Sequence, residues 1–224
     1  MRIPLTLAML CTVVTYAHAG AIRGHVSMPP APPSEVRFKP YAGRASSLAA
    51  PERPQRGLVT DAVIYIDTVV AEPRPGLGPG TPALPVEHPK LAQKGQAFEP
   101  RVVVVQAGGT VDFPNMDPIY HNVFSVSPTR RFDLGKYPRG QSRSITFHKP
   151  GLVNVFCDIH SDMAAFILVV PNRHFTRPAA DGSFDVSELP PGRYHVRAWH
   201  PDFTPRDLEI VVPASGDVAL DVSF

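Results

Sequence analysis

The sequence predicts an all-β protein: an antiparallel sandwich or small barrel, with an additional small β-sandwich-like region behind it. Three observations carry that expectation. The chain holds 27 prolines and 16 glycines in 224 residues, which breaks it too often for long helices. Its apolar stretches are short and recur between Gly- and Pro-marked turns, the spacing of all-β domains. The last fifth alternates apolar and polar residues, as half-buried strands do.

In chain order, the first segment is not expected to belong to the fold. Arg2, the apolar run IPLTLAMLCTVV and the small residues AHA at Ala17–Ala19 have the three-part pattern of a secretory signal peptide. Residues 1–19 are therefore expected to be removed, and the protein exported to the periplasm of a cell with an outer membrane. The run is too short to read as a membrane span. No later stretch is long enough, and no cysteine sits at the cleavage point for a lipid anchor. AIRGHVSM (Ala21–Met28) alternates as a strand and is stopped by PPAPPS. Residues 41–57 read as a loop, DAVIYID (Asp61–Asp67) as a strand, and residues 71–90, with six prolines and GLGPG, as a second loop. Residues 20–95 thus form a region of N-terminal strands and Pro-rich loops.

The pattern sharpens over residues 96–172. RVVVVQ (Arg101–Gln106) is a buried-strand run, AGGT a turn, and TVDF the next strand. NVFSV (Asn122–Val126), SRSITF (Ser142–Phe147), LVNVF (Leu152–Phe156) and AAFILVV (Ala164–Val170) follow. Residues 173–224 form the smaller module. DG and PPG mark its turns, and SFDV, RYHVRAW, DLEIVV and VALDV its strands. This module is too short to bury a good core alone. Either it packs on the preceding domain or it takes strands such as AIRGHVSM and DAVIYID from upstream; the sequence allows both.

Charge excludes some partners. The formal net charge is +2, falling to +1 without Arg2, and basic residues are dispersed among acidic ones. No basic block supports nucleic-acid binding. Cysteine usage says more. Loss of the signal removes Cys11 and leaves Cys157 as the sole cysteine, so the exported chain forms no internal disulfide.

Cys157 lies in VFCDIHSDM (Val155–Met163), directly after an apolar strand, with His160 and Met163 at three-residue intervals. Taken singly, each has an ordinary explanation: a small buried thiol, a turn histidine, a core methionine. Together, in one turn leaving a strand, they form a set of soft and borderline donors. Thiolate, imidazole and thioether suit copper far better than magnesium or calcium, and zinc gains little from the thioether. A fourth ligand must come from elsewhere. His121, at the mouth of the strand in FPNMDPIYHNVFSV (Phe113–Val126), is the best candidate. Two imidazoles and a thiolate with a weak axial thioether make a blue-copper electron-transfer set for one ion cycling between Cu(I) and Cu(II).

Residues 96–170 resemble the cupredoxins, the small blue copper proteins of the amicyanin and plastocyanin type. The resemblance lies in AGGTVDFPNMD, HNVFS and FHKPGLVNVFCDIHSDMAAFILVV. It implies a Greek-key cupredoxin-like sandwich with His121, Cys157, His160 and Met163 as the metal-binding residues. The short Cys-x-x-His-x-x-Met spacing is similar to that of amicyanin. Asn122 matches the residue whose hydrogen bonds tie the two ligand loops together. The whole chain is also similar to exported cupredoxin-domain proteins labelled methylamine utilisation proteins, and its DG-x-F, PPG-x-Y and WH tail to the carboxypeptidase regulatory-like module. Two departures stand out. Asp158 and Ile159 occupy the Cys–His interval where proline is common, and Ala164 and Ala165 follow the methionine where glycine is common.

The remaining histidines offer less. His195 and His200 flank Ala198-Trp199 and read as surface histidines of a strand, with Trp199 in the small module's core or its packing contact. There is no nucleophile elbow, phosphate-binding glycine loop, HExxH motif or paired carboxylates, so an enzyme is not expected. The leading expectation is a periplasmic electron carrier serving a redox partner such as a cytochrome or periplasmic oxidoreductase. A copper storage, delivery or sensing protein would use the same ligands, and a metal-free β-sandwich scaffold would use none.

Overall fold

The computed structural model describes residues 20–30, 57–69 and 88–224. The expected signal peptide with Cys11 and most of the two Pro-rich loops lie outside the described residues. The strands, in order, are β1 (Gly20–Ser27), β2 (Val63–Val69), β3 (Ala92–Lys94), β4 (Ala97–Glu99), β5 (Val102–Gln106), β6 (Thr110–Pro114), β7 (His121–Val126), β8 (Arg131–Tyr137) and β9 (Ser142–Thr146). They continue with β10 (Gly151–Phe156), β11 (Ala164–Val170), β12 (Phe175–Thr176), β13 (Ser183–Leu189), β14 (Gly192–His200), β15 (Phe203–Val212), β16 (Val218–Ala219) and β17 (Val222–Ser223). The fold is all-β, as the sequence predicts. No helix of the described residues is long and apolar enough to cross a membrane.

One core is enclosed by the five-stranded sheet β5-β11-β10-β7-β8, the β6-β9 pair and the β3-β4 hairpin. Alternate residues of each strand fill it: Val103 and Val105, Val111 and Phe113, Val153 and Val155, Ala165, Ile167 and Val169. Phe98 also belongs to this core, and so does Leu91, which lies upstream of the boundary expected at residue 96. The polar sequence AQKGQAFE hides that contribution.

The second unit draws on both ends of the chain. Sheet β12-β2-β14-β15 faces a sheet in which β1 lies between β13 and β16, with β17 also pairing β1. Their facing residues, including Ile22, Val26, Ile64, Ile66, Val186, Leu189, Tyr194 and Val196, make its core. AIRGHVSM and DAVIYID are therefore strands of this unit and not a separate N-terminal region. Gly24 is required for the arrangement, because a Cβ there would stand 1.7 Å from the Leu220 carbonyl oxygen.

The units meet through the outer face of β5 and β11. Val102, Leu168 and Val170 pack with Val63, Tyr65 and Trp199, and Trp199 meets Phe166 edge-on at 6.0 Å. Both faces of β11 are covered, which explains why AAFILVV is apolar at nearly every position. Each large aliphatic side chain so buried contributes about 1.5–3 kcal/mol. Beside this seam Arg101 forms a two-pronged pair with Asp202 at 2.8 and 2.6 Å and reaches Asp61 at 3.3 Å. His200 is buried here, contrary to the surface position expected of it. Its Nε2 donates to the Leu58 carbonyl at 3.1 Å and its Nδ1 accepts the Asp202 N–H at 3.1 Å. His195 stands half-exposed beside Glu209 on β14.

Candidate metal centre

Sheet pairing explains how residues 36 positions apart become neighbours. β7 and β10 are antiparallel, with Phe124 opposite Phe156. The start of one strand therefore lies beside the end of the other. His121 opens β7, and Cys157 follows the last residue of β10. The chain then turns through residues 158–163 and enters β11 at Ala164. Two backbone bonds close this turn: Met163 N–H to His160 O at 3.0 Å, and Cys157 N–H to Met163 O at 3.3 Å.

The thiol of Cys157 stands 3.9 Å from Nδ1 of His121 and 3.9 Å from Nδ1 of His160. All three donor atoms lie within 4.8 Å of one another, and among the described residues this is the one His, Cys, Asp or Glu cluster with metal-binding spacing. Donors surrounding an ion at about 2.0–2.3 Å stand roughly 3.5–4 Å apart, so the set fits one ion with little movement. Cys157, Met163 and His121 are buried, whereas His160 is partly exposed. Met163 packs in the first core as it closes the turn.

Electrostatics favour a neutral His160 ring. Burial, helped by the adjacent His121, pushes His160 below the ordinary histidine value against the opposing pull of Asp117. A neutral ring keeps a lone pair for a metal. The His121 ring is also held from behind, where Nε2 meets Asp117 Oδ2 at 2.8 Å. Burial pushes the Asp117 carboxyl up, but bonds from Gln96, His121 and Gly95 outweigh it and hold the group below the usual carboxylate range. Asn122 Oδ1 accepts the Asp158 N–H at 2.7 Å, joining β7 to the turn. Asp158 itself points to solvent and approaches Lys136 only at 3.9 Å, so its charge bears weakly on the thiol.

The structure thus brings together His121, Cys157 and His160, with Met163 at the end of the same turn. Sequence alone gives little reason to pick out Asp117: it lies four residues before His121, but the hairpin turn that fixes it lies 21 and 22 residues upstream.

No protein-family model and no curated protein matches the sequence. Solved structures show partial likenesses. A copper-containing nitrite reductase from Thermus scotoductus is 27% identical with a TM-score of 0.38, over 47% of this chain and 26% of the reductase. The chain therefore matches only about a quarter of that protein's length. A purple cupredoxin from Nitrosopumilus maritimus is 17% identical with a TM-score of 0.34, over 36% of this chain and 98% of the cupredoxin. Amicyanin from Paracoccus versutus is 23% identical with a TM-score of 0.34, over 38% of this chain and 84% of amicyanin. What the site can do follows from its own donors: one buried thiol between two imidazoles can hold a single soft or borderline metal ion at the edge of a rigid sheet.

Proposed function

We propose that this is an exported protein that binds one copper ion and carries single electrons, with His121, Cys157, His160 and Met163 as its ligands. The observation that carries the proposal is the Cys157 thiol, flanked at 3.9 Å by two imidazole nitrogens on a β scaffold. Copper, when bound, would supply a one-electron couple and keep the buried thiol deprotonated. The chain supplies the rest. β7, β10 and the closed 157–163 turn fix the donors in one arrangement, so changing oxidation state requires little movement. The buried side excludes water.

Partly exposed His160 gives the site its route to the surface. Met116, Ile119, Tyr120 and Ile159 are exposed apolar residues next to the ligand segments in sequence, with exposed Asp158 and Asp162 beside them, and they offer a docking area for a redox partner. That partner is proposed to be a cytochrome or a periplasmic oxidoreductase. The carrier reading leaves the protein without turnover of its own.

The deciding experiment adds Cu(II) to the purified exported protein and records its visible spectrum. One equivalent should produce an intense thiolate-to-copper band that bleaches reversibly on one-electron reduction. Tight, colourless Cu(I) binding would replace this reading with copper storage or delivery. No binding of either ion would leave a β-sandwich scaffold.

A further inference from the structure

The ring of His121 is braced by a hairpin outside the strands that carry the four proposed ligands. Strands β3 and β4 are joined by Gly95 and Gln96, which both have left-handed backbone angles, φ 63° and 59°. Such a two-residue turn suits the twist of paired strands. Here it points successive N–H groups at one carboxylate. Gly95 N–H donates to Asp117 Oδ1 at 2.6 Å, and Gln96 N–H to Oδ2 at 2.8 Å. The same Oδ2 faces Nε2 of His121 at 2.8 Å. Asp117 is fixed in turn by its own N–H to Asn115 Oδ1 at 2.9 Å. Asn115 is held by donating to the carbonyls of Ile119 and Tyr137, both at 2.9 Å. The hairpin is docked through Gln93, whose carbonyl accepts the Met116 N–H at 2.8 Å and whose side chain donates to Tyr137 Oη at 2.5 Å.

We infer that Asp117, clamped by the Gly95–Gln96 turn, is a positioning residue that keeps the His121 proton on Nε2 and its Nδ1 lone pair aimed at the metal, and that biases the site toward Cu(II). This rests on the copper reading above. The chemistry follows from the atoms. A carboxylate with both oxygens taking N–H bonds has only acceptor capacity, so the His121 nitrogen facing it must carry the hydrogen. Nδ1 is then the free donor, and it is the nitrogen that faces Cys157. A carboxylate behind a ligating imidazole fixes the ring and increases its basicity. Added negative charge near the ion favours the more highly charged oxidation state.

The test begins without metal. Apoprotein labelled with nitrogen-15 reports the His121 tautomer through its ring couplings at pH 8. The wild type should show one form, with the proton on Nε2. Asp117→Ala should show a mixture and bind Cu(II) about 10- to 100-fold more weakly. Asp117→Asn keeps an oxygen acceptor but loses the charge. It should keep the tautomer and lose about tenfold more affinity for Cu(II) than for Cu(I), a rise in potential of about 59 mV.

A single unchanged tautomer together with unchanged Cu(II) affinity in Asp117→Ala would overturn the inference. If that variant does not fold, Asp117→Asn decides alone, and an unaltered ratio of Cu(II) to Cu(I) affinity overturns it. Mixed tautomers in Asp117→Ala support the positioning role even in a protein that binds no copper. That outcome would defeat only the copper reading.

Discussion

The Asn122 side chain accepts the main-chain N–H of Asp158 at 2.7 Å, across 36 residues of sequence. This single bond joins the strand that carries His121 to the turn that carries Cys157 and His160. Asn122→Ala should leave the fold and the copper stoichiometry intact while freeing the turn. Copper affinity is expected to fall about 10- to 100-fold, the usual cost of losing a group that orients ligands. Competition with a chelator measures it, and wild-type affinity would show that the turn is held by its own closing bonds.

Cys157→Ser tests the thiolate. The residue is small and buried, and serine nearly matches its volume, so the β structure should survive. The intense charge-transfer band should disappear, because a serine oxygen cannot supply the copper–sulfur bond. Retention of the wild-type visible spectrum would remove Cys157 from the site.

Met163→Gln separates a metal ligand from a core residue. As a ligand, Met163 contributes a weak bond that favours Cu(I), so its replacement should keep copper and colour and lower the reduction potential. As packing alone, the same change buries an amide and costs about 1–3 kcal/mol, leaving the potential where it was. Voltammetry beside a melting curve distinguishes them.

Arg101→Met tests the seam between the two units. It leaves Asp202 buried without its guanidinium and Asp61 with only Arg177, 3.6 Å away, at an expected cost of about 3–5 kcal/mol. Adding Asp202→Leu should recover part of the loss by removing an unpaired charge. Urea titration of the single and double variants checks both; a single variant within about 1 kcal/mol of wild type would contradict the prediction.

His200 gives the apoprotein a pH dependence. Burial is the main cause holding it below its ordinary value of 6.5. Arg101 adds to the effect, against the opposite pull of Leu58, Asp202 and Asp61. The unfolded chain therefore binds a proton that the folded chain resists, and stability should fall as pH drops below about 6.5. His160 and His174 are shifted in the same direction and steepen the trend. In His200→Gln the melting temperature should depend less on pH between 8 and 5; an identical slope would exclude His200 as a contributor.

Strands with β-branched or continuously apolar runs are legible in the sequence: β5, β7, β10 and β11 are VVVVQ, HNVFSV, GLVNVF and AAFILVV. The Cys157–His160–Met163 turn was legible for the same reason, because soft donors at short spacing followed one of these runs. β8 was not. Arg131, Asp133 and Lys136 alternate with the only half-buried Phe132 and Leu134, the weak pattern of an edge strand. The β3-β4 hairpin was hidden further, since Gln96 occupies a left-handed position where Asn or Gly would have announced a turn. With the hairpin unseen, the clamp on Asp117 was unseen too. The burial of His200 was equally hidden, because its partners Leu58 and Asp202 come from separate loops.

The pairing of β1 with β16 and β17 sets an order of assembly. Ala21 bonds to Asp217 and His25 to Asp221, each across 196 residues, so this clasp cannot shut until nearly the whole chain exists. The strand ladders around the proposed copper site all close between Lys90 and Val170. Contacts of short span form first, and those that must close a long loop form late. The part of the chain that carries the proposed copper site is thus inserted in a unit that finishes after it. A chain cut before Val218 is therefore expected to bring His121 beside Cys157 while β1 lacks its partners β16 and β17.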